Sequence, residues 1–584
     1  MVPINQHRRC YRRCRSQSQL VSLQVVTMES TVPENWITVL TTPRARLIQL
    51  VIAALGLLAA CSGGGGSSPT TTGTGPTPTT PTAPAGLVTG ASGFSAGCAA
   101  VTNSGTLYNN SEVEPHVAIN PTNPNNLIGS WQQDRWSNGA SQGNAAGFSF
   151  DAGVTWTTRP LPVSRCGGGN AANGGDYERA SDPWVTFSPN GTAYQMSLAV
   201  SGETFQPGAA SAMLVFRSTD GGRNWGNATT LIRDAALFFN DKNTITADPT
   251  DSRYVYAVWD RLTSDNRGPT FFARTADGGA TWEPARAIFD PGVGNQTIGN
   301  VIVVLPDGTL INFFTRLNTV GGSTAGSFAV MRSADKGLTW SQPITVSNFL
   351  GIGTRDPETG TAIRDSAFLG QIAAGPQGQL YVTWQDARFS NGARDGIAFS
   401  SSTDGGLTWA APGRVNGDPG VQGLIPAINA RADGTIGVSY FDMRSNTTDP
   451  ATLLTDYWLA TSRDGVNWTD RRITTAFNLN IAPVARGYFL GDYMGLASAG
   501  NNFYPLYVRT NDANLANRND VFMTPVNVPT SAAAASISVR AAELSVAAVS
   551  ADFQQRVHEN ITRKMEQRIP GWARLRGVRA APPP

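Results

Sequence analysis

Ser402-Thr403-Asp404-Gly405-Gly406-Leu407-Thr408-Trp409 is the stretch whose reading decides the architecture of this chain. Asp404 can accept hydrogen bonds from the amides of a tight turn, Gly406 takes the positive φ that other residues resist, and the Trp409 indole folds back over apolar neighbours. The pattern Ser/Thr-x-Asp-x-Gly-x-x-Trp therefore staples a hairpin, and its Asp and Trp are expected to hold sheets together and not to do chemistry. Further copies end at Trp156, Trp225, Trp282 and Trp340, and a shortened one ends at Trp468. Successive Trp residues lie about 57 to 69 positions apart, so the chain is a repeat in which each unit must cover the next.

The repeated pattern resembles the Asp box, or BNR repeat, of sialidases and related β-propellers, and the resemblance covers about residues 110–528. It implies an all-β propeller of four-stranded antiparallel blades. The fifth unit splits accordingly into strands at 367–374, 379–385, 396–402 and 409–415, all short and punctuated by Gly, Pro, Asn or Asp. Second strands of this type recur seven times, from Leu127–Trp131 to Phe503–Tyr507. The seventh has no Asp box after it. A strand at 521–526 is expected there, completed by a strand from the segment between Cys98 and Tyr108, which favours seven blades over six.

Outside the repeats the composition changes. An apolar run from Leu47 to Ala60 follows Arg44 and Arg46, is too short to span a bilayer, and ends in Leu58-Ala59-Ala60-Cys61. This resembles a bacterial lipoprotein signal, which implies lipidation of Cys61 and an envelope protein, in the outer membrane or periplasm or outside the cell, touching membrane only through that anchor. Residues 1–61 are thus assigned to an N-terminal extension and signal. Residues 62–90, rich in Gly, Ser, Thr and Pro, read as a tether, 91–528 as the propeller, and 529–584 as a helical tail. In that tail Phe553, Val557, Ile561 and Met565 recur every four residues before Pro570-Gly571. Cys98 and Cys166 flank the first repeat and can pair in an oxidising compartment. A net charge of +2 on 584 residues argues against a nucleic-acid surface.

In a propeller, first strands start on the face where second strands end, opposite the Asp-box turns. Glu114, His116, Asp182, Asp241, Lys242, Asp365, Asp492 and Tyr493 fall at first-strand starts. Asp134-Arg135, Asp260-Arg261, Arg316, Asp386-x-Arg388, Asp442-x-Arg444 and Arg509 fall at second-strand ends. Such a ring suits a glycan or another anionic ligand, because guanidinium binds carboxylate bidentately; the same pairs can equally form salt bridges within blades.

Similarity to sialidases implies specific roles: Asp182 as acid, Tyr493 as nucleophile with Glu358 as its base, and Arg135, Arg388 and Arg444 on a substrate carboxylate. The chain departs from that family where Phe/Tyr-Arg-Ile/Leu-Pro should precede the first Asp box. Its near match, Gln567-Arg568-Ile569-Pro570, lies in the tail. With three His residues, of which His116 alone lies within the repeats, a His-built metal site is not expected. No cofactor is required, although a carboxylate cluster can hold a structural Ca²⁺. The expectation is a sialidase-like secreted propeller acting on glycans, an exo-sialidase if catalytic, with a non-catalytic binding propeller as the alternative.

Overall fold

Each stapled turn closes a hairpin between the third and fourth strands of a sheet. In the computed structural model, which describes residues 86–95, 97–98, 105–366, 368–529 and 549–568, Ser402 Oγ accepts from the Gly406 amide at 2.9 Å and donates to Asp404 Oδ1 at 2.7 Å. Thr408 Oγ1 donates to Asp404 Oδ2 at 2.6 Å, and the Trp409 indole donates to the Gly406 carbonyl at 3.3 Å. These donors, the Thr408 hydroxyl first, hold the Asp404 carboxyl well below its usual range. A backbone amide three or four residues on donates to the Asp in every copy, to Asp404 and likewise to Asp151, Asp220, Asp277, Asp335 and Asp464. Lys336 occupies a left-handed turn position (φ 58°) that Gly fills in other copies, and its ammonium bonds Asp248 at 2.8 Å. Several turns are also gripped by the preceding sheet: Asn126 reaches the Gly221 carbonyl at 3.1 Å, Tyr194 that of Gly278 at 2.8 Å, and Arg332 that of Gly405.

The strands form successive antiparallel sheets. Sheet I comprises Leu107–Ile119, Leu127–Trp136, Ser141–Ser149 and Thr157–Pro160. Sheet II begins with Arg179–Phe187, sheet III with Phe238–Ala247, sheet IV with Gln296–Val304, sheet V with Gln371–Ala374 and sheet VI with Gly423–Ala430; each has four consecutive strands. Sheet VII comprises Gly495–Ala499, Asn502–Thr510 and Asn519–Met523. Every first strand packs on the first strand of the next sheet, and Gly495–Ala499 packs back on Leu107–Ile119, so the sequence of contacts closes on itself.

The edge of sheet VII is covered by residues upstream of the expected segment. Leu87 bridges Phe522, the Val88 amide donates to the Val521 carbonyl at 2.9 Å, and the Met523 amide to that of Gly86 at 2.8 Å. Leu107 and Tyr108 instead pair with Trp136 and Arg135 inside sheet I. The expected closing strand was therefore displaced, and Gly86–Thr89 leave the tether for the sheet. Cys98 and Cys166 are joined by a disulfide. The helix covers Ala551–Arg568; Cys61 and residues 530–548 lie outside the described residues.

Several first strands carry a register shift near their start, with a residue at positive φ inside it. These are Glu114 (55°), Asp182 (46°), Lys242 (50°), Gly299 (69°) and Ile425 (52°). A bulge re-aims the side chain that the pleat would otherwise place on a sheet face. At sheets I to III it turns two carboxylates and one ammonium to a common centre.

Candidate functional site

Lys242 is the hub of that centre. Its Nζ lies 2.7 Å from Asp492 Oδ2, 2.9 Å from Asp182 Oδ1 and 3.6 Å from Glu114 Oε1, while its side chain is 12% exposed. Arg364, from the connection between sheets IV and V, forks onto Asp492 at 2.9 and 2.6 Å. Burial would lower the Lys242 ammonium, but Asp182, Asp492 and Glu114 outweigh it and hold the group well above its usual value. Burial would raise Asp492, yet Arg364 and Lys242 hold it well below the carboxylate range. Glu114 goes the other way: burial pushes it to about 8 against the pull of Lys242, with Asp182 and Asp492 adding to the rise. Two neighbouring carboxyls thus prefer opposite protonation states.

Arg135 stands beside this cluster, 2% exposed, with Nη1 donating to Gln132 at 2.5 Å and Nε without a partner. Burial and then the Arg364 charge lower it to about 10. Phe489 lies between the two guanidiniums, 4.8 Å from Arg135 and 4.1 Å from Arg364. The Tyr493 ring meets Trp184 edge-on at 5.2 Å, and its hydroxyl donates to the Pro183 carbonyl at 3.1 Å. Burial, with Glu114 and Asp182 next, pushes the Tyr493 phenol well above its usual value. His116, stacked on Trp184 at 3.7 Å, is pushed down to about 3 by burial. Asp182, Trp184, Lys242, Asn243, Gly299 and Tyr493 line part of a small pocket.

Asp182, Tyr493 and Arg135 of the expected sialidase set therefore come together, and the other three do not. Glu358 is exposed in the turn after Asp356, whose carboxylate accepts its amide at 2.9 Å. Arg388 bonds Asp386 at 2.7 Å and Ser347 Oγ at 2.9 Å. Arg444 bonds Asp442 and, at 3.0 Å, Asp470, and lies 3.6 Å over Trp458. The physical reason is local: an Asp two residues earlier on the same strand end captures each guanidinium within its own sheet. Arg364 was not anticipated, because it lies in a long connection without periodicity. Its neighbour Asp365 was the residue that the pattern marked. The positive-φ bulges at Glu114-Pro115, Asp182-Pro183 and Ile425-Pro426 share a residue-before-Pro signature that could have found the cluster.

The tail helix lies on this same face. Phe553, Val557, Ile561 and Met565 are buried in one apolar cluster with Leu262, Ile298, Phe349 and Leu369 of sheets III to V and their connections. Asn560 donates to the Gly351 carbonyl at 2.9 Å, Lys564 pairs with Asp365, and Arg568 pairs with Asp260 and, at 3.2 Å, with Asp241. Asp241 and Asp260 are partners in the sheet III register, so the first-strand start and second-strand end do share a face. Among the described residues no group of three or more His, Cys, Asp or Glu is arranged to hold a metal ion.

No family model matches the chain. It is 31% identical over 216 residues to a xyloglucanase of Paenibacillus sp, covering 34% of this chain and 18% of that protein. It is 29% identical over 215 residues to a xyloglucanase of Acetivibrio thermocellus, covering 34% and 22%. The chain thus spans about a fifth of the length of these curated relatives. Similar solved structures include a Dyadobacter fermentans protein of unknown function (TM-score 0.41, 14% identity, 72% of this chain and 97% of that one). They also include a Hadza microbial sialidase (0.39, 15%, 68% and 76%) and a Fusarium graminearum α-L-arabinofuranosidase (0.39, 12%, 58% and 92%).

Proposed function

We propose that this chain is a seven-bladed Asp-box propeller of the cell envelope that binds a polysaccharide and does not hydrolyse sialosides. One observation carries the reading: Arg388 and Arg444 are spent on their own sheets' aspartates and the Tyr493 hydroxyl on a backbone carbonyl. A sialidase needs those groups free to meet a carboxylate and a nucleophile's base. The cycle of first-strand contacts and the Asp-turn hydrogen bonds support the propeller, and the xyloglucanase similarity supports a polysaccharide ligand. Lipidation of Cys61 would tether the domain, and the reading requires no cofactor.

The test is a chromogenic sialoside assay run beside affinity electrophoresis in xyloglucan and in an acidic polysaccharide. The expected result is no sialoside release and retarded migration in at least one gel. Sialoside turnover that Tyr493→Phe abolishes would refute it. Arg135→Ala should weaken binding to the acidic polymer alone, since Arg135 is the cluster's guanidinium without an ion-pair partner.

A second reading rests on the opposed protonation of Glu114 and Asp492, which is the division of labour of a carboxylic acid and a carboxylate in glycoside hydrolysis. Reducing-sugar release from xyloglucan that Glu114→Gln abolishes would favour it. The lids that Lys242 and Arg364 form over these carboxylates favour binding.

A further inference from the structure

The geometry points to a hydroxyl-binding subsite on the helix-covered face, occupied in the resting protein by Arg568 of its own tail. This deepens the polysaccharide reading and rests on it. The observation is a pair of buried polar atoms left unmatched around one guanidinium. Arg568 donates to Asp260 Oδ2 and to Gln296 Oε1, the latter at 3.2 Å. Asp260 Oδ1, an acceptor, and Gln296 Nε2, a donor, have no partner, although Asp260 is 0% and Gln296 1% exposed. The bond from Arg568 fixes which end of the Gln296 amide is which. Buried polar atoms are ordinarily paired, so an unmatched acceptor and an unmatched donor on two side chains that bond one guanidinium suit a group that gives and takes a hydrogen bond at once.

An alcohol does that; a carboxylate or an ammonium does not. The surroundings fit the same ligand class. Asp241 adds a further acceptor within reach of the same guanidinium, at 3.2 Å, and Leu262, Ile298 and Phe349 beneath the helix provide apolar surface against which the C–H faces of a sugar can pack. An acidic sugar would meet Asp241 once the guanidinium left, and burial, which already holds the Asp260 carboxyl well above its usual range, would disfavour a second anion there. The subsite therefore selects a neutral glycan, in contrast to Arg135 beside the Lys242 cluster.

The helix sits on this site as an added part. It pairs with no strand, whereas the sheets beneath are hydrogen-bonded without it. Its hold includes one apolar stripe, the contacts of Asn560, Lys564 and Arg568, and His558 Nδ1 at 3.5 Å from Ser323 Oγ. A helix in a protein draws most of its stability from its packed face, so setting carboxylates against Asp365, Asp241 and Asp260 in place of the basic contacts should raise the rate at which it lifts off. The resting protein is then a capped form whose apparent affinity is the intrinsic one multiplied by the fraction of time the cap is off.

The experiment compares the full chain with Lys564→Glu/Arg568→Glu, using a neutral xyloglucan oligosaccharide as probe in calorimetry and amide exchange across 551–568 as the report on the helix. Expected are faster exchange in the helix and at least tenfold tighter binding, with the gain lost again on adding Asp260→Asn. Glu559→Gln, at an exposed position of the helix, should change neither. Faster exchange with unchanged affinity in a wild type that binds would overturn the subsite and leave the polysaccharide reading standing. Faster exchange with no binding by either form would refute the polysaccharide reading itself. If exchange is unchanged, Ile561→Asp puts a carboxylate into the apolar seat, and protection persisting there as well would overturn the cap.

Discussion

Replacing Glu114 by Gln should make the protein progressively more stable than wild type as pH rises, and the size of the effect follows from the buried cluster. Glu114 is 1% exposed, faces Lys242 at 3.6 Å, and is held at about 8 against an ordinary value of 4.5. The native state therefore keeps a proton between pH 4.5 and 8 that the unfolded chain has released. Stability falls wherever the native state binds more protons, so wild type loses this contribution as pH climbs through that window. A shift of this size corresponds to about 5 kcal/mol as an upper figure. Glutamine does not titrate, so the difference between variant and wild type should rise by up to that amount from pH 4 to pH 9. For a domain of this length that is about 5 °C in Tm. Its amide also places a donor where Gln132 Nε2 now donates to Glu114, a cost independent of pH that lowers the whole curve without changing its rise. Urea unfolding followed by tryptophan fluorescence at intervals of one pH unit measures the curve. A difference flat within about 1 kcal/mol between pH 5 and 9 would refute the claim that burial dominates Lys242 here.

Other outcomes follow from contacts already described. Cys98→Ser opens a loop of 68 residues and should cost up to about 4 kcal/mol, seen as a lower Tm that matches wild type in reductant. Asp404→Asn keeps one acceptor and loses charge-assisted bonds to the turn, so Tm should fall while polysaccharide retardation stays as in wild type. Arg388→Met leaves Asp386 buried and unpaired and should destabilise by about 3 kcal/mol, measured by urea unfolding, with no change in retardation in either polysaccharide. Equal loss of binding and stability would return Arg388 to the ligand site.

What was legible in the sequence was what repeats. The Asp turns announced the third-to-fourth-strand hairpins. The opposite end of each strand then placed Asp182, Lys242, Asp492 and Tyr493 at one face before any coordinates. The four-residue spacing of Phe553, Val557, Ile561 and Met565 likewise announced the tail helix, though not its seat. Elements that occur once were harder to see. Arg364 reaches Asp492 through a long connection whose course no period describes, and Gly86–Thr89 are too short to carry a strand signal of their own. Arg388 and Arg444 misled for the converse reason: the Asp-x-Arg motif marks the right end of the sheet, but its own Asp lies nearer than any ligand. The Gln567-Arg568-Ile569-Pro570 stretch, out of place for a sialidase motif, nevertheless contains the arginine that enters the face.

The strand that seals sheet VII is made first and used last. Thr89 accepts the Val521 amide across 432 positions, so a chain emerging N-terminus first carries its sealing strand through synthesis of every other sheet. Pairings this distant in sequence slow folding, and an assembly lacking its final sheet presents unpaired edges at both sides of the gap. A chain stopped before Gly495 should accordingly yield not a smaller ring but an adhesive intermediate that pairs with its own copies. Closure of the domain therefore waits on synthesis of Asn519–Met523, far downstream of the strand that seals it.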